Sequence, residues 1–338
     1  MISGEEIAYD LILSLLVISF IIFAIVLFFF CRKKPVKSEE IHSSVRVSAP
    51  SYPLTEIDTA TDGFHHRRIV GKGRLGTVYA ALLANQELVA VKRIHPSLVL
   101  SNAGFGFSSI LKSLSLAQHP NIVPILGFSQ APGERIIVME FVGMASLDFY
   151  LHESTSDGGS LLDWNRRLKV AAGAARGLQY LHEGIAPNII HGCFKASNIL
   201  LDVKFCARVC DYGLYFLVPN EKRGLVGYVD DEYWSEVAAG GGGACKASDV
   251  FGFGVVLLEL LSGRRSEGGL LVKWALPLIK EMKFNEVLDP KLAIFDMNQS
   301  IIRLAKVASA CVSNTRKSRP TIVQVASILN SLEIEING

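Results

Sequence analysis

Between Glu87 and Glu134 the chain has no acidic residue, between Leu214 and Gly227 no serine or threonine, and between Leu11 and Cys31 no charge of either sign. The first gap denies the lysines in that interval a carboxylate neighbour from the same stretch. The second leaves tyrosine, chiefly Tyr215, as the side chain open to phosphorylation there. The third is a run of 21 residues rich in Leu, Ile, Val and Phe, and about 20 such residues span a bilayer core. Cysteine is scarce: there are six in 338 residues, and the closest pair, Cys206 and Cys210, has no His or Cys companions at zinc spacing. A disulfide scaffold and a zinc module are both excluded. Excess charge is lacking too, with 34 basic against 32 acidic residues, so no basic face for nucleic acid is implied. Half of the residues are hydrophobic, enough for one large two-lobed domain with a short appendage.

The apolar run has neither the basic start nor the small-residue cleavage site of a secretory signal peptide. Glu5, Glu6 and Asp10 precede it, and Arg32, Lys33, Lys34 and Lys37 follow. This Lys/Arg excess predicts a single pass with the C-terminal side in the cytosol. The expected organisation is an outside stub over residues 1–10, a transmembrane helix over 11–31, a Ser- and Pro-containing linker over 32–53 and a folded domain over 54–335. The lipid bilayer is then a partner through residues 11–31.

Val70-Gly71-Lys72-Gly73-Arg74-Leu75-Gly76-Thr77-Val78 fits Gly-x-Gly-x-x-Gly-x-Val, a pattern whose glycines let backbone amides approach phosphate oxygens. Val89-Ala90-Val91-Lys92 follows as an alternating strand with one lysine. Phe107, Ile110, Leu111 and Leu114 recur at helical spacing. Asp163 is a good N-cap for the helix carrying Leu168, Ala171, Ala175 and Leu178. Further on come His191-Gly192-Cys193-Phe194-Lys195-Ala196-Ser197-Asn198 and, thirteen residues after Asn198, Asp211-Tyr212-Gly213. An apolar helix opening at Ser248 ends at Gly263, and two more helical stripes lie around 304–311 and 322–332.

With Pro53 to Phe64 and His119-Pro120-Asn121-Ile122-Val123, this order of motifs resembles the plant receptor-like kinase family from about Leu54 to Leu332. The resemblance implies an α+β, bilobal protein-kinase fold preceded by one transmembrane helix, with a small lobe over 65–141 and a large lobe over 142–335. It implies ATP and magnesium as cofactors. Gly71, Gly73, Gly76, Val78, Ala90, Lys92, Met139 and Lys195 would hold nucleotide, and Asn198 and Asp211 would hold metal. Leu114, His191 and Tyr212 would form the apolar stack that aligns the lobes.

The departures from the family pattern fall at the chemistry. Cys193 stands at the proton-accepting Asp, and Ile110 at the helix position whose Glu pairs with the strand lysine. Gly192 stands for Arg, Leu225 for Thr, and Asp230-Asp231-Glu232 for Ala-Pro-Glu. Lys92 is therefore expected to be free to rest on phosphate, and Glu232 to pair with Arg319. The expected protein is a receptor-like pseudokinase at the plasma membrane, binding ATP and acting through other membrane receptor kinases or their substrates. Two alternatives are an active serine/threonine kinase with atypical residues and a pure adaptor with a relic pocket.

Overall fold

The computed structural model describes residues 48–101, 106–143, 145–153, 161–217, 224–266, 268–292 and 299–337, and positions 16 and 19 besides. The chain divides into a unit of residues 1–47 and one of residues 48–338. The expected stub, the span over 11–31 apart from those two positions, and the linker up to residue 47 lie outside the described residues. Among the described residues no helix is long and apolar enough to cross a membrane.

The small lobe is built on an antiparallel sheet of β1 (Ile69–Lys72), β2 (Gly76–Leu82), β3 (Leu88–Ile94), β4 (Ile125–Ala131) and β5 (Glu134–Glu140), in the order β1-β2-β3-β5-β4. Side chains alternate across a strand, and β3 uses both faces. Val89 and Val91 join Tyr79, Ile136 and Val138 in an outer core closed by Ile57 and Ala60 of α1 (Leu54–Ala60). Ala90, Ile94, Ile137 and Met139 face the other way into the main core. A short helix α2 (Pro96–Ser101) precedes α3 (Phe107–Leu114), which buries the expected Phe107, Leu111 and Leu114 against that inner face. Full burial of a leucine such as Leu111 contributes about 1.5–3 kcal/mol. Ile110 is half-buried on the same helix.

The large lobe is helical. Ser146 caps α4 (Leu147–His152), and Asp163 caps α5 (Trp164–Gln179) by accepting the amide of Arg166 at 2.8 Å. The two-stranded ladder β6 (Ile199–Leu201) and β7 (Ala207–Val209) follows, then α6 (Asp231–Ala238), α7 (Lys246–Ser262), α8 (Leu270–Lys280), α9 (Phe284–Val287), α10 (Gln299–Cys311) and α11 (Ile322–Asn337). Helix α7 is buried on nearly all sides, as its apolar sequence requires. It stops at Gly263, whose φ of 65° suits a residue without Cβ.

One expected pair is corrected. Arg319 bonds Asp230, while Glu232 accepts the backbone amide of Arg316 at 3.0 Å. Asp230 is the N-cap of α6 and lies buried, within reach of both Arg316 and Arg319. Glu232 sits exposed on the first turn, so the carboxylate two positions earlier takes the buried arginine.

Candidate functional site

The register of the small lobe sets the roof of a cleft. Val78 pairs with Lys92, and Ala90 pairs with Met139, so Val78, Ala90, Lys92 and Met139 are held on adjoining strands. The three glycines of the turn between β1 and β2 differ in what they do. A Cβ at Gly76 would come within 1.9 Å of the Arg93 carbonyl oxygen, so close backbone approach within the sheet demands glycine there. Gly73 has nothing within 4 Å of that position, and at Gly71 the nearest atom lies at 3.8 Å. Those two leave room over the cleft.

The floor is the segment from His191 to Asn198, and one carboxylate fixes it. Asp249, on the first turn of α7, accepts the amides of His191 and Gly192 at 2.8 Å each and lies 2.9 Å from His182 Nε2. Cys193 N donates to His191 Nδ1 at 3.3 Å, and Asn198 Nδ2 donates to the Cys193 carbonyl at 2.9 Å. The amide of Gly213 returns to the His191 carbonyl at 3.2 Å. Tyr212 is buried, with its hydroxyl donating to the Val123 carbonyl at 3.1 Å. Leu114 packs beside it, since a Cβ on Gly213 would meet Leu114 at 2.5 Å. Burial holds the His191 imidazole below its ordinary pKa and therefore neutral.

Roof and floor enclose about 700 Å³. The lining includes Gly71, Gly73, Gly76, Val78, Ala90, Lys92 and Met139 from above and Cys193, Lys195, Asn198 and Asp211 from below. The structure thus brings all the sequence-read site residues to one cleft except Ile110, which stays on the apolar face of α3.

Lys92 is not free, as the sequence suggested. Its ammonium bonds both carboxylate oxygens of Asp211, and the two side chains are 9% and 12% exposed. The acid-free interval from Glu87 to Glu134 excluded a partner within its own stretch, but this one comes from across the cleft. Burial opposes ionisation of Asp211, and the charge and hydrogen bond of Lys92 outweigh it, holding the carboxyl below its usual range. Asp211 also has a φ of 61°, in the left-handed region that aspartate enters more readily than most non-glycine residues.

Cys193 is 5% exposed. It shares a small core with Leu225, Val229 and Tyr233, against which Trp234 and Val237 pack. Burial pushes its thiol pKa up, against the opposing charges of Lys195 and Arg74, so at neutral pH it is a protonated apolar group. Gly192 has a φ of 82°, and a Cβ there would come within 2.3 Å of the Tyr215 ring. Tyr215 has taken the space beside the floor that a longer side chain at 192 would need.

Sequence reasoning did not find Arg74, Asp249 or the wall of Val229 and Tyr233. Leu225 was visible as a missing threonine, and pairing that loss with the missing Asp at 193 was the signal available. Nucleotide fits this cleft on the room over Gly71 and Gly73 and the cationic side chains around it. For magnesium, Asn198 and Asp211 are hard oxygen donors, with Asp211 shared with Lys92. Bound nucleotide and metal would supply a transferable phosphoryl group and charge neutralisation.

The fold and cleft define a protein kinase domain. Residues 64–329 match the protein tyrosine and serine/threonine kinase family, and the chain belongs to it. Its homologues are plant receptor-like kinases. The Arabidopsis thaliana leucine-rich repeat receptor protein kinase EMS1 is 38% identical over 82% of this chain and 24% of its own length. The receptor-like protein kinase BRI1-like 3 of the same plant is 35% identical over 88% of this chain and 27% of its own length. The chain thus spans about a quarter of the length of these relatives. A solved structure of the pseudokinase domain of BIR2, an immune regulator of the RLK/Pelle family, superimposes with a TM-score of 0.70 at 33% identity, covering 84% of this chain and 87% of that one.

Proposed function

We propose that this chain is a membrane-anchored receptor-like pseudokinase that binds ATP, transfers phosphate slowly or not at all, and signals through contacts with other receptor kinases. The observation that carries the reading is Cys193. A proton-accepting carboxylate belongs at that position in the family, and here a protonated thiol is walled in by Leu225, Val229 and Tyr233. A positioned general base contributes roughly 10²- to 10⁴-fold to rate. Among the described residues, the two carboxylates of the floor do not replace it, because Asp211 is bound to Lys92 and Asp249 is committed to His191, Gly192 and His182.

The similarity to a pseudokinase domain supports the same direction. The anchor rests on the uncharged run over 11–31 and the basic residues after it. Residues 54–335 would then face the cytosol at the plasma membrane. The metal role of Asn198 and Asp211 and the nucleotide role of the cleft belong to this reading.

ATP titration of the purified full chain tests it. Binding should raise the melting temperature, corresponding to about 2.7 kcal/mol at a hundredfold excess over the dissociation constant. No shift, with or without magnesium, would favour a pure adaptor. Protease added outside intact cells should leave the kinase-like domain undigested, and its digestion would overturn the orientation.

A further inference from the structure

Just before α1 the chain runs as a strap along β4, the last strand of the small-lobe sheet. Ser51 forms a parallel bridge with Phe128. The amide of Tyr52 donates to the Phe128 carbonyl at 2.8 Å, and the amide of Phe128 donates to the Pro50 carbonyl at 3.1 Å. The Tyr52 ring lies over Gly127, where a Cβ would come within 2.2 Å of it. At its other end the strap reaches α3. Ala49 is buried in the main core, and its amide donates to the Oγ of Ser115, the C-cap of α3, at 2.8 Å. Lys92 is bonded to Asp211 and Ile110 is uncharged, so no ion pair ties α3 to that lysine. The strap is one of the contacts that hold the end of the helix in place.

Tyr52 is half-buried between the exposed Ser51 and Pro53. Burial first, and then the charges of Glu56 and Glu87, push its hydroxyl pKa up. Glu56 stands on the first turn of α1 and Glu87 just before β3. Among the described residues, the charges acting on the hydroxyl are both negative. We propose that Tyr52 is a phosphorylation site for another protein kinase, and that its phosphate releases the strap from β4. In the modification the bond from Pγ to the bridging oxygen of ATP breaks and ADP leaves. The Tyr52 oxygen bonds that phosphorus, and its proton passes to the modifying kinase. The phosphate carries a charge of about −1.5 to −2, and beside two carboxylates it is repelled. The ring then leaves Gly127, the bonds to Phe128 break, and Ser115 loses the Ala49 donor. Modification beside the entry to the domain thus loosens α3 and, through it, the roof of the cleft. This rests on the proposed function only in that the chain works beside other kinases.

The test is hydrogen exchange, read by mass spectrometry, on the full chain in mild detergent with phosphotyrosine installed at position 52 during synthesis. Exchange at the Tyr52 and Phe128 amides should rise by about tenfold or more, with a smaller rise over residues 107–115. Tyr52→Phe keeps the ring and should exchange like the natural chain. Gly127→Ala, which drives a Cβ into the ring, should match the phosphorylated chain and marks what a released strap looks like. In Glu56→Gln/Glu87→Gln the phosphate should release the strap less. Unchanged exchange in the phosphorylated chain overturns the proposal, and so does an equal rise in the Glu56→Gln/Glu87→Gln background, which would assign the effect to bulk. Incubating the natural chain with ATP and a soluble tyrosine-phosphorylating kinase should place phosphate on Tyr52, and its absence there overturns the site. Neither ATP binding nor transfer by this chain is read, so a failure leaves the pseudokinase reading standing.

Discussion

The ammonium of Lys92 rests on both carboxylate oxygens of Asp211, joining the roof of the cleft to its floor across 119 residues of sequence. With Ile110 on α3 offering no charge, this pair is what neutralises the lysine. Both partners are nearly buried, so removing either leaves a lone charge away from water. Lys92→Met and Asp211→Asn should each destabilise the domain by about 3 kcal/mol. The double variant should recover much of that loss. Urea midpoints of the four proteins would check it, and additive losses would mean the pair is not coupled.

The same pair sets an expectation for metal. Magnesium at the proposed site would compete with an ammonium for Asp211, so ATP affinity should depend weakly on magnesium in the natural chain. Lys92→Met frees the carboxylate and should make that dependence steeper, even as overall affinity falls. Titrations with magnesium and with a chelator supply the two ratios.

The glycines separate fold from ligand. Gly76→Ala forces a Cβ onto the Arg93 carbonyl and should cost about 3 kcal/mol, the upper end for overpacking. Gly73→Ala meets no atom within 4 Å and should stay within about 0.5 kcal/mol while weakening nucleotide binding. Thermal unfolding and ATP titration of the two variants give opposite rankings if this holds.

The order of motifs, the caps at Asp163 and Gly263 and the apolar stripe of α3 were legible because each depends on neighbours within a turn or two. What stayed hidden lies in long-range choices. Lys92 takes its partner from across the cleft, and Arg319 chooses Asp230 over Glu232 because the cap position is buried and the first turn is not. Tyr215 over Gly192 and Arg74 over Gly224 depend on how a loop returns to the floor, which no local spacing encodes.

Leu225 and Cys193 should behave as one unit. Cys193→Asp puts a carboxylate against Leu225, Val229 and Tyr233 and should destabilise by about 1–2 kcal/mol, with Lys195 and Arg74 softening the loss. Leu225→Thr supplies a hydroxyl to that carboxylate, so the double variant should be more stable than the two single effects predict, by about 1 kcal/mol. Ile110→Glu must displace Asp211 to reach Lys92 and should add little transfer on its own. Denaturation of the single and double variants measures the coupling; strict additivity would contradict it.

Asp230 makes stability depend on acid. Burial opposes its ionisation, but hydrogen bonds from Arg319 and Arg316 outweigh this and hold the carboxyl below its usual range. A depressed folded pKa contributes stability that is complete above the unfolded value of about 3.9 and is lost as pH falls through the folded value. Asp230→Asn should therefore lower stability at pH 7 and flatten the acid limb of the stability profile. An unchanged limb would place the acid sensitivity elsewhere.

The most direct test of a disabled transfer site is radioactive phosphate incorporation into a generic protein substrate by the full chain with ATP and magnesium. The account predicts incorporation no greater than that of Asp211→Asn, with a measurable gain in Cys193→Asp/Leu225→Thr. Turnover of about 1–100 per second by the natural chain, abolished in Asp211→Asn, would contradict it and identify an active kinase.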